Sequence, residues 1–163
     1  MGRRQVKCHG DEARFEAVAE YVYRRFGSGV KYIADVAGGQ GMLSRILSKK
    51  YNYEAEVIDP RGHTLIGVPS KQAYYTAEMA CFYDLIIGLH PDGATRAVAE
   101  SAASRPVILV PCCNDWDPSQ KLGSRELVAA ISGYFDQSGI PCELVAFDFK
   151  KPKNIGIVTG RPI

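Results

Sequence analysis

The sequence predicts an α/β protein with a doubly wound, mostly parallel sheet that ends in an antiparallel hairpin. Short apolar runs typical of buried strands alternate along the chain with amphipathic segments typical of helices. Near the C-terminus, two strand-like runs follow each other across the short connection 150–154, which suits an antiparallel pair. A glycine-rich segment, 37–41, lies between the first strand and the next helix, where α/β proteins bind nucleotides.

The N-terminal part of the chain supplies two helices and two strands. Apolar residues at helical spacing predict a helix over residues 11–26, which Gly27 closes. The apolar run 32–36 predicts a buried strand, and a second helix follows the glycines over about 42–50. A further apolar run, 55–59, ends in an aspartate and is expected to be the second strand.

The rest of the chain continues the alternation, although the segment 60–79 is poorly periodic. The predicted elements are strands at 73–76 and 82–87, a helix at 92–104, a strand at 106–110, a helix at 124–137, and hairpin strands at 142–149 and 155–159. Asp92 precedes an alanine-rich stretch, so we expect its side chain to act as the N-cap of that helix.

Length and composition indicate one globular domain over residues 1–163. With 46% hydrophobic and 23% charged residues and no long apolar run, the chain is expected to be cytoplasmic, without a membrane span or signal peptide. A net charge of +2 is too small to argue for nucleic-acid binding by itself. The five cysteines include no Cys-x-x-Cys pair, so we expect reduced thiols with neither a disulfide nor a metal site.

The glycine-rich loop and the acid after the second strand predict an adenosine-type cofactor. Glycines let the backbone pass close to a ligand, and Asp59 is placed to accept hydrogen bonds from both hydroxyls of a ribose. A dinucleotide fingerprint would need a third glycine where Ser44 follows Gly39 and Gly41, and the Gly-Lys-Ser/Thr of a P-loop is absent.

The pattern of the loop resembles a known family. Asp35-x-Ala37-x-Gly39-x-Gly41 is similar to motif I of the class I S-adenosylmethionine (SAM) methyltransferases, Asp-x-Gly-x-Gly-x-Gly, with alanine at the first glycine. The resemblance implies a Rossmann-like methyltransferase sheet, which ends in the same kind of hairpin. It also implies that the cofactor is SAM.

Two later segments resemble one methyltransferase subfamily. Segments 88–95 and 110–115 are similar to its Gly-x-His-x-Cys-Gly-x-x-Thr and Pro-Cys-Cys motifs, and Asp92 stands where the subfamily usually has cysteine. The subfamily includes the domain of a eukaryotic tRNA 2′-O-methyltransferase and the methyltransferase-like 25 proteins. The matching positions are Asp35, Gly39, Gly41, Asp59, His90, Gly93, Thr95, Pro111, Cys112 and Cys113.

The resemblance implies roles for individual residues and a class of acceptor. We expect the cofactor to be bound by Asp35, Ala37, Gly38, Gly39, Gln40, Gly41, Asp59, Pro60, Arg61 and Leu89. His90 and Asp92 are the expected catalytic pair, because a poorly acidic hydroxyl needs a base or an oriented acceptor. The implied substrate is RNA, with the ribose 2′-hydroxyl as the methyl acceptor.

Several of these residues have structural interpretations that compete with a functional one. His90 could shape its turn with its imidazole bonded to a carbonyl, and Asp92 is a more natural helix cap than a base. Cys112 and Cys113 could be small hydrophobic residues or supply a thiolate, and covalent catalysis is disfavoured because no second Pro-Cys follows the fourth strand. Trp116, or a tyrosine of the segment 74–75, could flank a substrate base, and Trp116 could equally cover the sheet edge.

Other functions remain open at the level of the sequence. A non-catalytic SAM-binding or interaction module, a methyltransferase acting on a protein or small molecule, and a nucleotide-dependent reductase are the alternatives. Two basic clusters become a phosphate-binding surface only if they share a face, and a homodimer could join them. The clusters are Arg3, Arg4 and Lys7, and Lys150, Lys151 and Lys153.

Overall fold

The structure, a computed structural model, describes residues 10–160. The strands are β1 (Tyr32–Val36), β2 (Glu54–Ile58), β3 (Ser70–Lys71), β4 (Leu85–Leu89), β5 (Val107–Val110), β6 (Cys142–Ala146) and β7 (Ile155–Thr159). The α-helices are α1 (Ala13–Phe26), α2 (Met42–Tyr51), α3 (Thr95–Glu100) and α4 (Ser124–Gln137). The first basic cluster, Arg3, Arg4 and Lys7, and one of the five cysteines, Cys8, lie outside the described residues.

The seven strands form one sheet in the order β3-β2-β1-β4-β5-β7-β6. The first five strands in this order, β3, β2, β1, β4 and β5, are parallel to one another. Strand β7 lies between β5 and β6 and is antiparallel to both. The chain moves outward from β1 to β3 and then returns to the other side of β1 as β4. This reversal leaves a crevice at the carboxyl ends of β1 and β4, where open α/β sheets bind their ligands. The predicted doubly wound sheet with its terminal hairpin is confirmed.

Helices cover both faces of the sheet because successive strand residues point to opposite faces. Ile33 belongs to the core that α1 and α2 cover, and its neighbour Ala34 belongs to the core under α3 and α4. On α1, the apolar stripe expected from the sequence is buried at Val18, Val22 and Phe26. The two cores fix the sheet between the helices and hold the crevice open at one edge.

The strand predicted at 73–76 is wrong, because the third strand lies at Ser70–Lys71. Its pairing uses backbone atoms next to β2, with Asp59 N donating to Lys71 O at 3.1 Å, so no apolar side-chain pattern marks it. Tyr75 instead turns inward, and its hydroxyl lies 2.7 Å from the Ser101 hydroxyl. The fourth strand also starts later than the predicted 82–87, since residues Ala77–Phe82 form a 3₁₀ helix.

The helix predicted over 92–104 is divided, and Asp92 is not its N-cap. A 3₁₀ turn, Asp92–Ala94, precedes α3, and a second 3₁₀ turn, Ser101–Ala103, follows it. An N-cap residue needs an extended backbone, whereas Asp92 has a φ of 49°. The Asp92 carbonyl instead accepts a hydrogen bond from the Thr95 hydroxyl at 2.9 Å, and its carboxylate is left for another partner.

Candidate functional site

The crevice at the carboxyl ends of β1 and β4, the switch point where the strand order reverses, has a volume of about 1120 Å³. Six segments line it: the start of α1, the glycine loop with the first residues of α2, the loop after β2, the turn after β4, Cys112 after β5, and the connection between β6 and β7. Of the ten predicted cofactor-binding residues, seven line the crevice: Asp35, Ala37, Gly38, Gly39, Gln40, Arg61 and Leu89. Gly41, Asp59 and Pro60 are near it in the chain but are not among its lining residues.

Two glycines of the loop occupy positions that a larger residue could not take. A Cβ on Gly38 would lie 2.6 Å from the carboxyl carbon of Asp35, so the loop backbone rests directly on that side chain. Gly41 has a φ of 86°, and a Cβ there would lie 2.8 Å from Cγ1 of Val68. At Gly38 the loop therefore brings its backbone to the crevice without a side chain, and α2 begins at Met42.

Asp35 is the buried support of the loop. Its carboxylate accepts hydrogen bonds from the Ser44 hydroxyl at 2.8 Å and the Ser44 backbone N–H at 3.2 Å. Burial raises the pKa of Asp35 to about 6. The two Ser44 hydrogen bonds lower this pKa, and the charge of Asp59 adds a smaller increase. Asp35 thus fixes the loop and the start of α2 to the end of β1.

Asp59 holds the adjacent loop, and Arg61 covers its carboxylate. One oxygen, Oδ1, accepts from Arg61 N at 2.9 Å and Arg61 Nε at 3.0 Å. The other, Oδ2, accepts from Arg61 Nη2 at 2.7 Å and Gly39 N at 3.0 Å. Burial opposes the charged form, but these hydrogen bonds outweigh it and hold the pKa of Asp59 below its ordinary value. All four lone-pair positions of the carboxylate are therefore in use.

His90 and Asp92 flank Pro91 in a turn with an unusual backbone. Both have positive φ values, 52° and 49°, and Ala37 across the crevice has a φ of 53°. Such conformations are costly for residues other than glycine and collect at functional sites. The fourth residue of this kind in the described chain, Asn52, ends α2 away from the crevice.

The His90 imidazole is held by the β6–β7 connection. Its Nε2 lies 2.9 Å from the carbonyl oxygen of Lys153, and since a carbonyl can only accept, Nε2 carries the proton and Nδ1 keeps its lone pair. Burial lowers the pKa of His90, and the positive charges of Arg14 and Lys153 lower it further. The hydrogen bond to the Lys153 carbonyl raises this pKa but does not offset burial. The ring edge packs on Phe149 with centroids 5.9 Å apart. The neutral His90 therefore makes the hydrogen bond to a carbonyl that the structural interpretation expects. It also keeps a basic nitrogen, Nδ1.

Asp92 contributes a carboxylate that faces the glycine-loop side of the crevice. Its side chain is 60% exposed, and Oδ2 lies 3.8 Å from Nη1 of Arg61. Arg61 therefore stands between two carboxylates, Asp59 below it and Asp92 across from it. The structure brings His90 and Asp92 to the same crevice, as the sequence predicted.

The surroundings of the remaining candidates, Cys112 and Trp116, favour a structural role over a catalytic or binding one. Burial and the neighbouring thiol of Cys113, with Sγ atoms 3.5 Å apart, raise the pKa of Cys112 to about 12, which opposes a thiolate. Trp116 is only 8% exposed, packs against Tyr134 and lies under Arg96 in the core on the α4 face, so little of its ring is open to stack on a base. In residues 10–160, no group of three or more histidine, cysteine, aspartate or glutamate residues is arranged to hold a metal ion.

The crevice residues that sequence reasoning missed include Arg14, Phe15 and His63. Arg14 and Phe15 were assigned only to the first helix, and no local signal shows that this helix starts beside the glycine loop. Their position depends on how α1 packs on the sheet. Among the described residues, no helix has both the length and the apolar character that crossing a membrane requires.

Comparison with known proteins shows similarity of fold. No protein-family model and no curated protein matches the chain. The sugar N-methyltransferase KedS8 from a Streptoalloteichus species is 16% identical over 100% of this chain and 98% of that one, with a TM-score of 0.55. DesVI from Streptomyces venezuelae is 14% identical over 93% and 91%, with a TM-score of 0.57. The fold is that of the class I methyltransferases. The N-terminal domain of EvdMO1, solved with S-adenosylhomocysteine (SAH) bound, is 12% identical over 94% and 83%, with a TM-score of 0.54.

Proposed function

We propose that this protein is a SAM-dependent methyltransferase. The observation that carries the proposal is the loop at the switch point, where backbone at Gly38 lies directly on the buried Asp35 and Gly41 opens α2. This surface suits a ligand that approaches the backbone closely, and the next strand ends in a buried acid, Asp59. The likeness of the fold to methyltransferases of known structure supports the same reading.

The residues present fit the cofactor. Gly38 to Gly41 would lie under its amino-acid part, and Asp59 would accept hydrogen bonds from its ribose. Because the Asp59 carboxylate is fully engaged, the ribose would have to displace one donor, and the 47% exposed side chain of Arg61 moves more easily than a backbone amide. Leu89, at the end of β4, would provide an apolar wall.

His90 is the proposed base of the reaction. SAM, when bound, supplies a methyl group that is transferred to the acceptor oxygen as its bond to sulfur breaks. Nδ1 of His90 would take the proton of the acceptor hydroxyl, while the Nε2–H bond to the Lys153 carbonyl holds the ring in place. The lowered pKa of His90 keeps the imidazole neutral and able to accept that proton. Asp92, on the same turn, would orient the acceptor.

The acceptor that we propose is RNA, at a ribose 2′-hydroxyl, on the resemblance of the segments 88–95 and 110–115. A small molecule or a protein is the second candidate, and the described neighbour KedS8 is a sugar N-methyltransferase. A homodimer and a cytoplasmic location remain proposals from the sequence. Tritium transfer from labelled SAM to total RNA, protein and small metabolites, tested in parallel, distinguishes the acceptors.

Calorimetry tests the cofactor directly. Asp59→Ala should weaken SAH binding more than tenfold, because charge-assisted hydrogen bonds of about 1.5–3 kcal/mol are lost. Asp136→Ala, which removes an exposed carboxylate from α4, is the matched control and should bind normally. Unchanged affinity in Asp59→Ala, or tighter binding of NAD(P) than of SAM, would reject the assignment. Tight SAH binding without transfer to any acceptor would favour a non-catalytic module.

His90→Gln tests the base. The glutamine amide can still donate to the Lys153 carbonyl but cannot accept a proton, so the rate should fall about 10²-fold or more. SAH affinity should stay within a few-fold of the native value, since the proposed cofactor contacts are untouched. A variant with full activity would show that His90 only shapes its turn.

A further inference from the structure

The crevice extends well beyond the predicted cofactor residues. One part is formed by the glycine loop and Arg61, and the other by the start of α1 and the β6–β7 connection. Its volume of about 1120 Å³ exceeds the usual range of about 300–1,000 Å³ for the pocket of one small ligand. The part that the cofactor would leave open is where an acceptor has to lie.

Positive charge dominates this second part. Lys150, Lys151 and Lys153 line it from the β6–β7 connection, and all three are exposed. Within residues 10–160, none of these ammonium groups lies within 4.0 Å of a carboxylate, the distance that defines an ion pair. The nearby acid Asp11 has both oxygens engaged by backbone N–H groups, those of Ala13 at 3.0 Å and Lys150 at 2.8 Å.

The connection that carries the lysines is fixed to the site at several points. Lys150 N is held by Asp11, and the Lys153 carbonyl is held by His90. At the base of the connection, Phe147 N donates to Asn154 O at 2.8 Å and Asn154 Nδ2 donates back to Phe147 O at 2.9 Å. The lysine stems therefore start from defined positions beside the proposed base.

Apolar rings lie next to these charges. Phe149 packs edge-on against His90 and Phe15 projects from α1, and both rings are half-buried in the crevice wall. A wall of this kind suits a sugar or base, and ammonium groups on flexible stems bind phosphate as point charges. An acceptor that carries a phosphate close to its hydroxyl would contact both features at once.

We propose that Lys150, Lys151 and Lys153 form an anion site that binds a phosphate of the methyl acceptor. The acceptor is then a phosphate-bearing molecule whose hydroxyl lies at His90. This inference rests on the proposed function, because it assigns the same crevice a second ligand. The phosphate could belong to an RNA strand or to a small phosphorylated sugar or nucleotide.

The test measures binding of phosphate probes to the full chain saturated with SAH. The probes are a fluorescent ten-residue oligouridylate, uridine monophosphate and ribose 5-phosphate, which lack the adenine that the cofactor site would recognise. Lys151→Gln/Lys153→Gln should weaken binding about tenfold. For the oligouridylate, it should also lower the slope of log affinity against log salt by about 1.4, or about 0.7 for each lost contact to a single strand. Lys31→Gln/Lys49→Gln removes the same charge from exposed positions at the opposite edge and should change affinity less than twofold. Lys151→Arg/Lys153→Arg should restore binding.

Each outcome is decisive. Binding by the oligouridylate alone assigns the phosphate to RNA, and equal binding of the small phosphates assigns it to a small acceptor, and both results support the anion site. If no probe binds, or if the two glutamine double variants weaken binding equally, the anion site is wrong while SAH binding leaves the proposed function intact. Failure of SAH itself to bind would reject the proposed function instead.

Discussion

Three residues around the crevice adopt backbone conformations that glycine would adopt more easily. Ala37, His90 and Asp92 all have φ values near 50°, and they lie on two loops that face each other. A left-handed conformation costs an L-residue roughly 1–2 kcal/mol, which the rest of the fold has to offset. Strain at Ala37 agrees with the motif that the loop resembles, because that motif has glycine at this position and glycine adopts a positive φ at little cost.

Replacing Ala37 by glycine should therefore stabilise the protein. Relief of about 1–2 kcal/mol in the native state is opposed by the extra unfolded-state entropy of glycine, about 0.4–1 kcal/mol, so we expect a net gain of about 0–1.6 kcal/mol. Urea denaturation measures the change. Ala129→Gly, at an exposed position within α4, is the control and should lose about 1 kcal/mol. Losses at both positions would show that Ala37 is not strained.

Asp35 predicts a pH dependence of stability. Its pKa of about 6 in the folded protein lies above the ordinary 3.8, so the folded state binds a proton more tightly than the unfolded state. This group therefore lowers stability as the pH rises from about 4 to about 6, by roughly 3 kcal/mol for a pKa of 3.8 in the unfolded chain and about 6 in the folded protein. The neutral Asp35→Asn variant lacks this effect.

The measurement is the free energy of unfolding of both proteins between pH 4 and pH 8. The difference should move in favour of Asp35→Asn as the pH rises to about 6 and stay constant above it. A difference that does not depend on pH would mean that Asp35 keeps an ordinary pKa. Taking the difference cancels the carboxylates that the two proteins share.

At the scale of elements, Arg61 links the loop after β2 to the turn after β4. It engages Asp59 through three donors and approaches Asp92 at 3.8 Å, so it covers the carboxylate that the ribose would need. We infer that Arg61 competes with the ribose and shifts toward Asp92 when the cofactor enters. The sequence instead predicts that Arg61 binds the cofactor, and that role stays a prediction.

Arg61→Ala tests the competition. Removing the guanidinium frees lone pairs of Asp59, so SAH should bind severalfold more tightly, while the unliganded protein loses stability because a buried carboxylate loses its partner. Arg45→Ala, on the exposed side of α2, is the control and should change neither property. If SAH instead binds more weakly to Arg61→Ala, Arg61 is a ligand of the cofactor after all.

The sequence predicted elements whose signals are local. The bounds expected for β1, α4 and β7 agree with the structure because apolar periodicity and flanking glycines mark them. β3 was misplaced because its two exposed residues pair only through the backbone. The cap predicted at Asp92 failed because its backbone conformation depends on the turn after β4 and on no pattern within the helix.

The site could be predicted only in part, because some of its contacts join positions that are far apart in the chain. Asp35 and the glycine loop are contiguous in the chain, Asp59 directly follows the next strand, and the sequence found them. The approach of Lys153 to His90 joins positions 63 residues apart and exists because β7 enters the sheet beside β5. The sequence left open whether the two basic clusters share a face. The N-terminal cluster lies outside the described residues, and the structure shows that Lys150, Lys151 and Lys153 line the crevice.

At the scale of the whole molecule, the single continuous sheet predicts that the described chain unfolds as one cooperative unit. Strand β7 lies between β5 and β6, so the C-terminal hairpin is paired into the sheet that carries the glycine loop. A cofactor bound at one end of that sheet should therefore stabilise the chain as a whole. The single domain over 1–163 that the length predicts stays a prediction, and such cooperativity would support it.

Thermal unfolding with and without SAH tests this unity. At a SAH concentration of about 100 times the Kd, binding should add about 2.7 kcal/mol and raise the Tm of a domain of this size by about 5–10 °C. The whole transition should shift, whether it is followed by far-ultraviolet circular dichroism or by the fluorescence of Trp116, the only tryptophan. Trp116 is packed against α4 on the face opposite to α1, so it reports on a different part of the fold from the site. Two transitions, of which SAH moves only one, would show that the hairpin or the α4 layer unfolds independently of the cofactor site. The Asp59→Ala variant, at the same SAH concentration, should lose most of the shift while it retains a single transition.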